Sequence, residues 1–250
     1  MHTTHGIKFA ALESERFGLK IYRGELPAID IAYIKEVIIG NKADVLILRL
    51  PVETKAQHHL LLNTGFRVLH CDTLVYYFCS LVATQVQSLR NNITFEVINE
   101  KDTDILDELV GQIFTEYRNH YFSNPVFEKR LINEGYQQWA KSFLHEKEAS
   151  QFSWFVKLNE KIVGFVLCSI ISNNTCEGVL YGVKHEFSGK GIYSDMIRFS
   201  QQFFKDKGLK KMLVSTQIQN YSVQKVWLKE GFNLKYALDT YHINSFLSQA

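Results

Sequence analysis

The 250-residue sequence has little proline, little cysteine and no long hydrophobic run. Its three prolines, and the lack of any glycine- or serine-rich stretch, mean that a boundary between domains must be short. The longest apolar run, Ile162–Ile171, is half of the roughly 20 residues that a membrane-spanning helix needs. The polar start, Met1–Gly6, lacks the apolar core of a signal peptide. These absences predict a cytoplasmic protein.

An excess of charge of one sign is also missing. The 28 lysines and arginines and the 26 aspartates and glutamates leave a formal net charge of +2, and no segment collects like charges. Because nucleic acid is held by basic patches, we predict no nucleic-acid partner. The composition, 46% hydrophobic and 22% charged, is typical of a globular protein with one large or two small domains.

Neither the cysteines nor the adjacent histidines form a metal motif. The four cysteines match neither a redox pair nor a zinc pattern and are predicted to be small buried side chains: Cys71, Cys79, Cys168 and Cys176. His58 and His59 point about 100° apart on a helix and have no acidic or thiol partner nearby in the sequence. We therefore predict a solvated helix face there, and no metal.

The periodicity of apolar residues predicts two α/β regions, at 1–90 and 91–250, that meet near the polar stretch Gln85–Asn92. The first has extended Gly6–Tyr22, helix Ile29–Ile39 ended by Gly40, strand Val45–Leu50, helix Lys55–Asn63 and extended Phe66–Phe78. The second region begins with strand Ile93–Ile98, a helix capped by Asp102 or Thr103, and helix Phe127–Leu144, which Gly135 interrupts. A hairpin follows, formed by Phe152–Leu158 and Lys161–Ile171 around Asn159-Glu160. The remaining elements are strand Glu177–Val183, helix Ile192–Lys207, strand Lys211–Thr216, helix Tyr221–Glu230 and extended Phe232–Ile243.

The ends of the two regions resemble each other. Each has a strand, a helix, a glycine-phenylalanine pair and another strand, with Gly65-Phe66 in the first and Gly231-Phe232 in the second. Duplication and chance explain this similarity equally well, because a helix ended by glycine before a strand is common. If duplication is the cause, the first region has lost the functional site, since it lacks a counterpart of the glycine loop at 189–191.

The most informative segment is the short loop between the strand ending at Val183 and the helix beginning at Ile192. Free N–H groups meet at the positive end of such a helix, which is a place that holds phosphate oxygens. Gly189 and Gly191 permit a close approach, and Lys190 adds a cation. The loop matches neither of the common glycine-rich nucleotide fingerprints.

The order of elements around this loop resembles the Gcn5-related N-acetyltransferase (GNAT) family over residues 93–245. That family has the loop pattern Gln/Arg-x-x-Gly-x-Gly/Ala, which is filled here by Ser188, Gly189, Lys190, Gly191, Ile192 and Tyr193. Ser188 replaces Gln/Arg, and Tyr193 replaces the last small residue. The resemblance implies an acetyl-CoA-dependent N-acetyltransferase whose backbone at 188–193 binds the cofactor's pyrophosphate. It also implies a mixed, mostly antiparallel central sheet flanked by helices, preceded by a smaller degenerate GNAT-like lobe.

A closer resemblance is to the acetyltransferases of TDP-4-amino-4,6-dideoxy sugars. It rests on Phe114-x-x-Tyr117 continuing to Pro125, on Tyr136-x-x-Trp139 and on Thr216-Gln217-x-x-Asn220. This implies an enzyme of surface-polysaccharide assembly that acts on a TDP-linked amino sugar, and a homodimer. Charged and flat side chains in this part of the sequence are of the type that holds a nucleotide diphosphate and stacks on a thymine, so the candidate acceptor residues are Arg118, His120, Tyr121, Tyr136 and Trp139. The alternative is that Tyr136 and Trp139 belong to the apolar stripe of their helix and Arg118 to a surface pair.

Acetyl transfer needs a held thioester, donors for the developing oxyanion and a neutral amine. The strand through Tyr181, Gly182 and Val183 should separate from Lys211–Thr216 at Gly182 and expose N–H groups; the alternative is a fully paired strand in which Gly182 fills a packing gap. The candidate bases are Glu177 and His185, although residues of these types in such positions are more often solvated loop residues than catalytic ones.

The family usually protonates the leaving thiolate with a tyrosine, but Trp227 stands at the matching position. Tyr221, Tyr193, Tyr241 or water remain as sources of the proton, and we favour Tyr221. Asn220 should cap the following helix, which borders the cofactor in the family, so Asn220 and Trp227 are candidate cofactor contacts. Two other functions stay open: transfer to another small amine, an antibiotic or a protein N-terminus, and non-catalytic binding of acyl-CoA.

Overall fold

The computed structural model describes residues 6–145 and 149–248, and the side chains of all of these except 247 and 248. Residues 1–5, which carry the expectation about the chain start, lie outside this range. The chain forms two compact units, made of Met1–Val75, Arg118–Gly135 and Tyr236–Ala250 in the first and of Tyr76–Tyr117 and Tyr136–Lys235 in the second. These units differ in membership from the predicted domains 1–90 and 91–250, whose division into a degenerate and a catalytic lobe stays a prediction.

The described residues contain ten strands and six α-helices. The strands are β1 (Gly6–Phe9), β2 (Ile21–Glu25), β3 (Val45–Pro51), β4 (Phe66–Ser80), β5 (Ile93–Val97), β6 (Gln151–Leu158), β7 (Lys161–Ser172), β8 (Thr175–Val183), β9 (Lys211–Gln217) and β10 (Asn233–Ser248). The helices are α1 (Ala11–Phe17), α2 (Ile31–Gly40), α3 (Thr103–Phe114), α4 (Lys129–His145), α5 (Ile192–Asp206) and α6 (Tyr221–Lys229). A 3-10 helix covers Val52–Thr64.

In the first unit the strands follow the order β1-β2-β3-β10-β4. β2 and β3 are parallel, whereas β1 pairs with β2 and β10 with β3 in antiparallel fashion. The apolar core between this sheet and α2 contains Ile34, Leu46, Leu48 and Leu61, each fully buried. The strand β10, from the end of the chain, therefore completes the sheet of the first unit.

The prediction that Gly6–Tyr22 is extended throughout is wrong, because α1 lies between β1 and β2. This helix has only seven residues and ends at Gly18, whose φ of 62° is left-handed. Two turns are too short to display a 3.6-residue apolar period in the sequence. The left-handed glycine was the signal that could have revealed the helix end.

In the second unit the strands follow the order β4-β9-β8-β7-β6-β5. β8 and β9 are parallel, and β5 to β8 form an antiparallel series. The predicted hairpin between β6 and β7 is confirmed: Asn159 and Glu160 have φ values of 49° and 63°, which a two-residue turn of this kind requires at both positions. The expected mixed, mostly antiparallel sheet flanked by helices is thus confirmed.

One of two predicted helix features of the second region is confirmed. Asp102 directly precedes α3, as predicted, but its side chain makes no capping bond to that helix and instead accepts from the Asn99 amide nitrogen over 2.9 Å, in the capping box of the preceding 3-10 turn. Gly135 does not interrupt α4, which is continuous over Lys129–His145. A single interior glycine costs about 1 kcal/mol, which packing of a long amphipathic helix readily offsets.

The prediction of a solvated face at His58 and His59 is wrong for His58. Its side chain is buried, with Nδ1 2.9 Å from the hydroxyl of Tyr241 and 3.5 Å from Asp239 Oδ2. The acidic partner comes from the far end of the chain, so no local pattern could show it. His59 is exposed, as expected.

All four cysteines are free, and three of them are buried as predicted, whereas Cys71 is half-buried. No helix in the described part of the chain combines the length and the apolar character needed to cross a bilayer.

Candidate acyl-CoA site

The two parallel strands of the second unit separate part of the way along their length. β8 pairs with β9 from Thr175 to Gly178, opposite residues 211–214, and the pairing ends there. The strands therefore diverge as predicted, but after Gly178 rather than at Gly182. The remaining residues of β8 are paired with β7 alone, so their other edge is unpaired where the two strands diverge, and this gap is called the cleft below.

A β-bulge lies at the start of this cleft. The register between β7 and β8 shifts between the pairs Leu167–Leu180 and Cys168–Gly178, which leaves Val179 without an opposite residue. A bulged residue is withdrawn from the ladder and locally re-aims the strand. The amide of Val179 is therefore a candidate donor to an oxygen placed in the cleft.

Gly182 has a packing role instead. A Cβ at this position would lie 2.6 Å from the ring of Phe165 and 3.1 Å from Ile113. The alternative interpretation of Gly182, as the filler of a packing gap, is therefore correct, although the strand is not fully paired.

The glycine loop after β8 has the conformation that close contact with an anion requires. Gly189 and Gly191 have φ values of 75° and 82°, which only glycine adopts readily. The Ser188 amide donates to His185 O, and the Asp195 amide makes the first bond of α5, to Gly191 O. The amides of residues 189–194, which lie between Ser188 and Asp195, have no hydrogen-bond partner among the described residues. This run of free donors fits the two phosphates of a CoA molecule, and exposed Lys190 adds a charge.

A buried ion-pair network anchors the helix that begins at this loop. Arg198, only 1% exposed, donates from Nε and Nη2 to the carboxylate of Glu230 over 2.8 Å at each end. Its Nη1 lies 3.2 Å from Asp195 Oδ1. The Glu230 hydrogen bond raises the pKa of Arg198, so the guanidinium stays charged. The network ties the first two turns of α5 to the residue after α6.

Four residues from the two motifs that resemble the sugar acetyltransferases form one polar cluster at the end of β9. The hydroxyl of Tyr117, from the segment after α3, donates to Gln217 Oε1 and lies 3.4 Å from Thr216 Oγ1. The Asn220 side-chain nitrogen donates to Thr216 Oγ1 over 3.0 Å. Two separate motifs thus meet at one place, and Tyr117, Thr216 and Gln217 are the candidate site residues that sequence reasoning missed.

Asn220 is the first flanking residue of α6, but its side chain makes no capping bond to the helix backbone. The prediction of a side-chain cap is wrong, because its Nδ2 is engaged by Thr216 and its Oδ1 accepts a bond from Ser222.

Two of the three departures from the family pattern, Tyr193 and Trp227, lie against each other. Trp227, 3% exposed, donates from Nε1 to the hydroxyl of Tyr193 over 3.2 Å and packs on Tyr77. Burial raises the pKa of Tyr193, which keeps its hydroxyl protonated. Tyr181, another predicted cofactor residue, donates its hydroxyl proton to Ser200 over 2.8 Å. Neither the burial of Trp227 nor its contact with Tyr193 could be read from the sequence.

The three predicted catalytic side chains lie on different elements. Tyr221 is the first residue of α6 and is 66% exposed. Glu177 is half-buried in the part of β8 that is still paired with β9, opposite Leu213. His185 is exposed in a short 3-10 turn after β8.

The predicted acceptor residues are divided between the two units. Tyr136 and Trp139 lie on the part of α4 in the second unit, with ring centroids 6.3 Å apart. Tyr136 stacks on Phe114 and joins the core cluster, as the alternative interpretation had it, whereas Trp139 is 40% exposed. Arg118 is in the first unit, with its guanidinium 4.7 Å from the ring centroid of Phe122.

His120 and Tyr121 are buried inside the first unit, and their polar atoms are engaged there. His120 Nδ1 lies 2.8 Å from His242 Nε2, and His242 Nδ1 lies 3.1 Å from Asn124 Nδ2. The hydroxyl of Tyr121 donates to Glu13. Contact of either side chain with an acceptor stays a prediction, and would require this interior to open.

The buried histidine pair should make the protein less stable in mild acid. Burial lowers the pKa of His242 to about 3 and holds the pKa of His120 well below its usual value. The unfolded chain binds protons at these groups near pH 6.5 whereas the folded chain does not, so the stabilising contribution is complete above that pH and is lost as pH falls. Urea unfolding should give a smaller free energy of unfolding at pH 5.5 than at pH 7.5, and His120→Gln should reduce the difference. Equal free energies at both pH values would contradict the neutral pair.

Diverging parallel strands followed by a helix with free amides at its start are the arrangement expected of an acyl-CoA-dependent transferase. Residues 110–232 match the model of the Acetyltransferase (GNAT) family. This match covers just under half of the chain, so residues 110–232 are a GNAT acetyltransferase segment, and the enzymes of this family use acetyl-CoA.

Similar proteins support this fold. A GCN5-related N-acetyltransferase from Kribbella flavida has a TM-score of 0.58 at 11% identity, covering 90% of this chain and 81% of that one. A tandem GNAT protein from the clavulanic acid biosynthesis pathway also has a TM-score of 0.58, at 9% identity, covering 87% and 69%. The spore coat polysaccharide biosynthesis protein SpsD of Bacillus subtilis is 25% identical over 142 residues, which are 57% of this chain and 47% of SpsD. The match thus spans about half the length of that relative.

Proposed function

We propose that this protein transfers the acetyl group of acetyl-CoA to the amine of a TDP-linked 4-amino-4,6-dideoxy sugar. The observation that carries the proposal is the polar cluster of Tyr117, Thr216, Gln217 and Asn220. This cluster brings together the two sequence segments that resemble the acetyltransferases of such sugars. It lies at the end of β9 that is no longer paired with β8. The similarity to SpsD, a protein of spore coat polysaccharide biosynthesis, supports a role in polysaccharide assembly. We place this reaction in the cytoplasm and expect a homodimer, both from the same resemblance.

The residues of the cleft have separate tasks in this reaction. The amides of 189–194 bind the diphosphate, and Lys190 adds a charge-assisted contact. The Val179 amide donates to the thioester carbonyl, whose oxygen gains negative charge as the amine attacks. Acetyl-CoA supplies the activated acyl group. The amine loses its proton through water to Glu177 or His185, since a sugar ammonium with a pKa of about 8 needs only a weak base.

We propose Tyr193, rather than the favoured Tyr221, as the hydrogen-bond donor to the leaving sulfur. The indole of Trp227 occupies one lone pair of the Tyr193 hydroxyl, which leaves its proton free to donate. The hydroxyl of Tyr221 has no such bond to any residue that the structure describes, and its side chain is mostly exposed to solvent.

The paired variants Tyr193→Phe and Tyr221→Phe test this assignment. We expect Tyr193→Phe to lower kcat by about 100-fold, the size of a positioned proton donor's contribution, and Tyr221→Phe to lower it by less than about threefold. Steady-state kinetics at saturating acetyl-CoA measure both. The opposite ranking would return the role to Tyr221.

The proposed function is tested by incubating the protein with acetyl-CoA and a panel of TDP-4-amino sugars and following the products by mass spectrometry. We expect one sugar nucleotide to gain a single acetyl group, and free TDP to compete with it. A second panel of simple amines and peptide N-termini addresses the alternative acceptors. Turnover there but not with the sugars would overturn the sugar assignment.

A second candidate, a non-catalytic acyl-CoA-binding module, is favoured by one observation. Trp227 is buried where the family has a tyrosine, and its N–H is already used by Tyr193. CoA binding without loss of the thioester, whatever amine is offered, would select this candidate.

A further inference from the structure

The segment before β5 is fastened to the beginning of α5. The backbone amides of Arg90 and Asn91 each donate over 2.9 Å to one oxygen of the Asp195 carboxylate. The side-chain nitrogen of Asn91 donates over 2.8 Å to the same carboxylate. Asp195 is fully buried and also receives Arg198, so the position of Asn91 is fixed from several directions.

The same Asn91 side chain reaches the glycine loop. Its Nδ2 donates over 3.1 Å to the carbonyl oxygen of Lys190, and a Cβ on Gly191 would lie 3.6 Å from it. The Lys190 carbonyl and the Gly191 amide belong to one peptide unit, which is planar and trans. Because the two groups of a trans peptide point in opposite directions, holding the carbonyl toward Asn91 aims the Gly191 N–H away from Asn91.

This peptide unit is the one that most needs to be held. It lies between two left-handed glycines, Gly189 and Gly191, and glycine loses more conformational freedom on ordering than any other residue. A loop that must order itself on binding gives up part of its affinity, whereas a preorganised loop does not. The stretch Gln85–Asn92, which the sequence suggested as a linker between domains, therefore contributes to the cofactor loop.

We propose that Asn91 is a positioning residue for the cofactor, which fixes the 190–191 peptide so that the Gly191 amide faces the diphosphate. The proposal rests on the proposed binding of a diphosphate at residues 189–194. Asn91 acts through the loop, by its hydrogen bond to the Lys190 carbonyl oxygen, rather than through the diphosphate.

The variants Asn91→Ala and Asn92→Ala form a matched pair, since Asn92 is the exposed neighbour of Asn91. Titration calorimetry with CoA should show a dissociation constant about five- to tenfold higher for Asn91→Ala than for the wild type, the loss expected from one ordered hydrogen bond. Pantetheine, which has the same thiol arm but no diphosphate, should bind both variants as it binds the wild type. Asn92→Ala should leave both affinities unchanged.

A merely structural role would give a different pattern. If Asn91→Ala weakened CoA and pantetheine equally, or left CoA binding unchanged, the proposal would be overturned. Hydrogen exchange in the absence of ligand gives an independent readout: the Asp195 amide, which is bonded to Gly191 O, should exchange faster in Asn91→Ala than in Asn92→Ala. If wild-type protein failed to bind CoA, the proposed diphosphate site would fail, yet exchange would still decide whether Asn91 orders the loop.

Discussion

Replacing Gly191 with glutamate should abolish CoA binding in a protein that still folds. The φ of 82° at this position is strained for any side chain, and the new carboxylate would stand among the free amides that hold the diphosphate. It would also repel the phosphates by like charge. Calorimetry with CoA should detect no binding at concentrations that saturate the wild type, while circular dichroism shows the same helix content.

Gly208 provides the matched control at the other end of the same helix. Its φ is 81°, and no atom lies within 4 Å of a Cβ placed there. Gly208→Glu therefore carries the same backbone strain and the same added charge, but far along α5 from the loop. We expect it to bind CoA like the wild type. Unchanged CoA affinity in folded Gly191→Glu would refute the loop as the diphosphate site.

Replacing Arg198 with methionine should destabilise the protein by about 3–5 kcal/mol, the usual cost of leaving a buried charge unpaired. Methionine fills much of the arginine volume but leaves the buried carboxylates of Glu230 and Asp195, which are 5% and 0% exposed, without their cationic partner. The free energy of unfolding from urea titration measures the loss. Because Asp195 also holds the segment around Asn91, the CoA dissociation constant of the folded variant should rise as well.

Arg130→Met is the corresponding control on an exposed pair. Arg130 Nη1 lies 2.9 Å from Glu134 in α4, and its side chain is 70% exposed. Pairs of this kind contribute about 0–1 kcal/mol, so this variant should unfold almost like the wild type. Equal losses in Arg198→Met and Arg130→Met would mean that the buried network does not stabilise α5.

The features that the sequence predicted well are those decided by neighbours in the chain. The hairpin at Asn159-Glu160 and the loop with Gly189 and Gly191 were found because each depends on the backbone preferences of adjacent residues. The apolar periods of α3 and α5 were found for the same reason, since a helix face is a local pattern.

The features that it missed depend on residues that are far apart. Tyr117 meets Gln217 and Tyr193 meets Trp227 only after the strands of the second unit are assembled. His58 has a buried acidic partner, Asp239, that lies near the other end of the sequence. Such contacts have no periodicity, and a motif can at most indicate that both partners matter. The exact place where β8 leaves β9 is likewise set by a bulge at Val179, which the sequence does not mark.

The place of β10 in the first unit has a consequence for how the protein is made. The antiparallel partner of β3 is synthesised almost 200 residues after it, as the pairs Leu238–Pro51 to Asn244–Val45 show. While the ribosome is still elongating the chain, β3 has an unsatisfied edge, and pairing over such a sequence separation is slow. The sheet of the first unit can therefore be completed only after β10 has been synthesised, which is after the residues of the second unit.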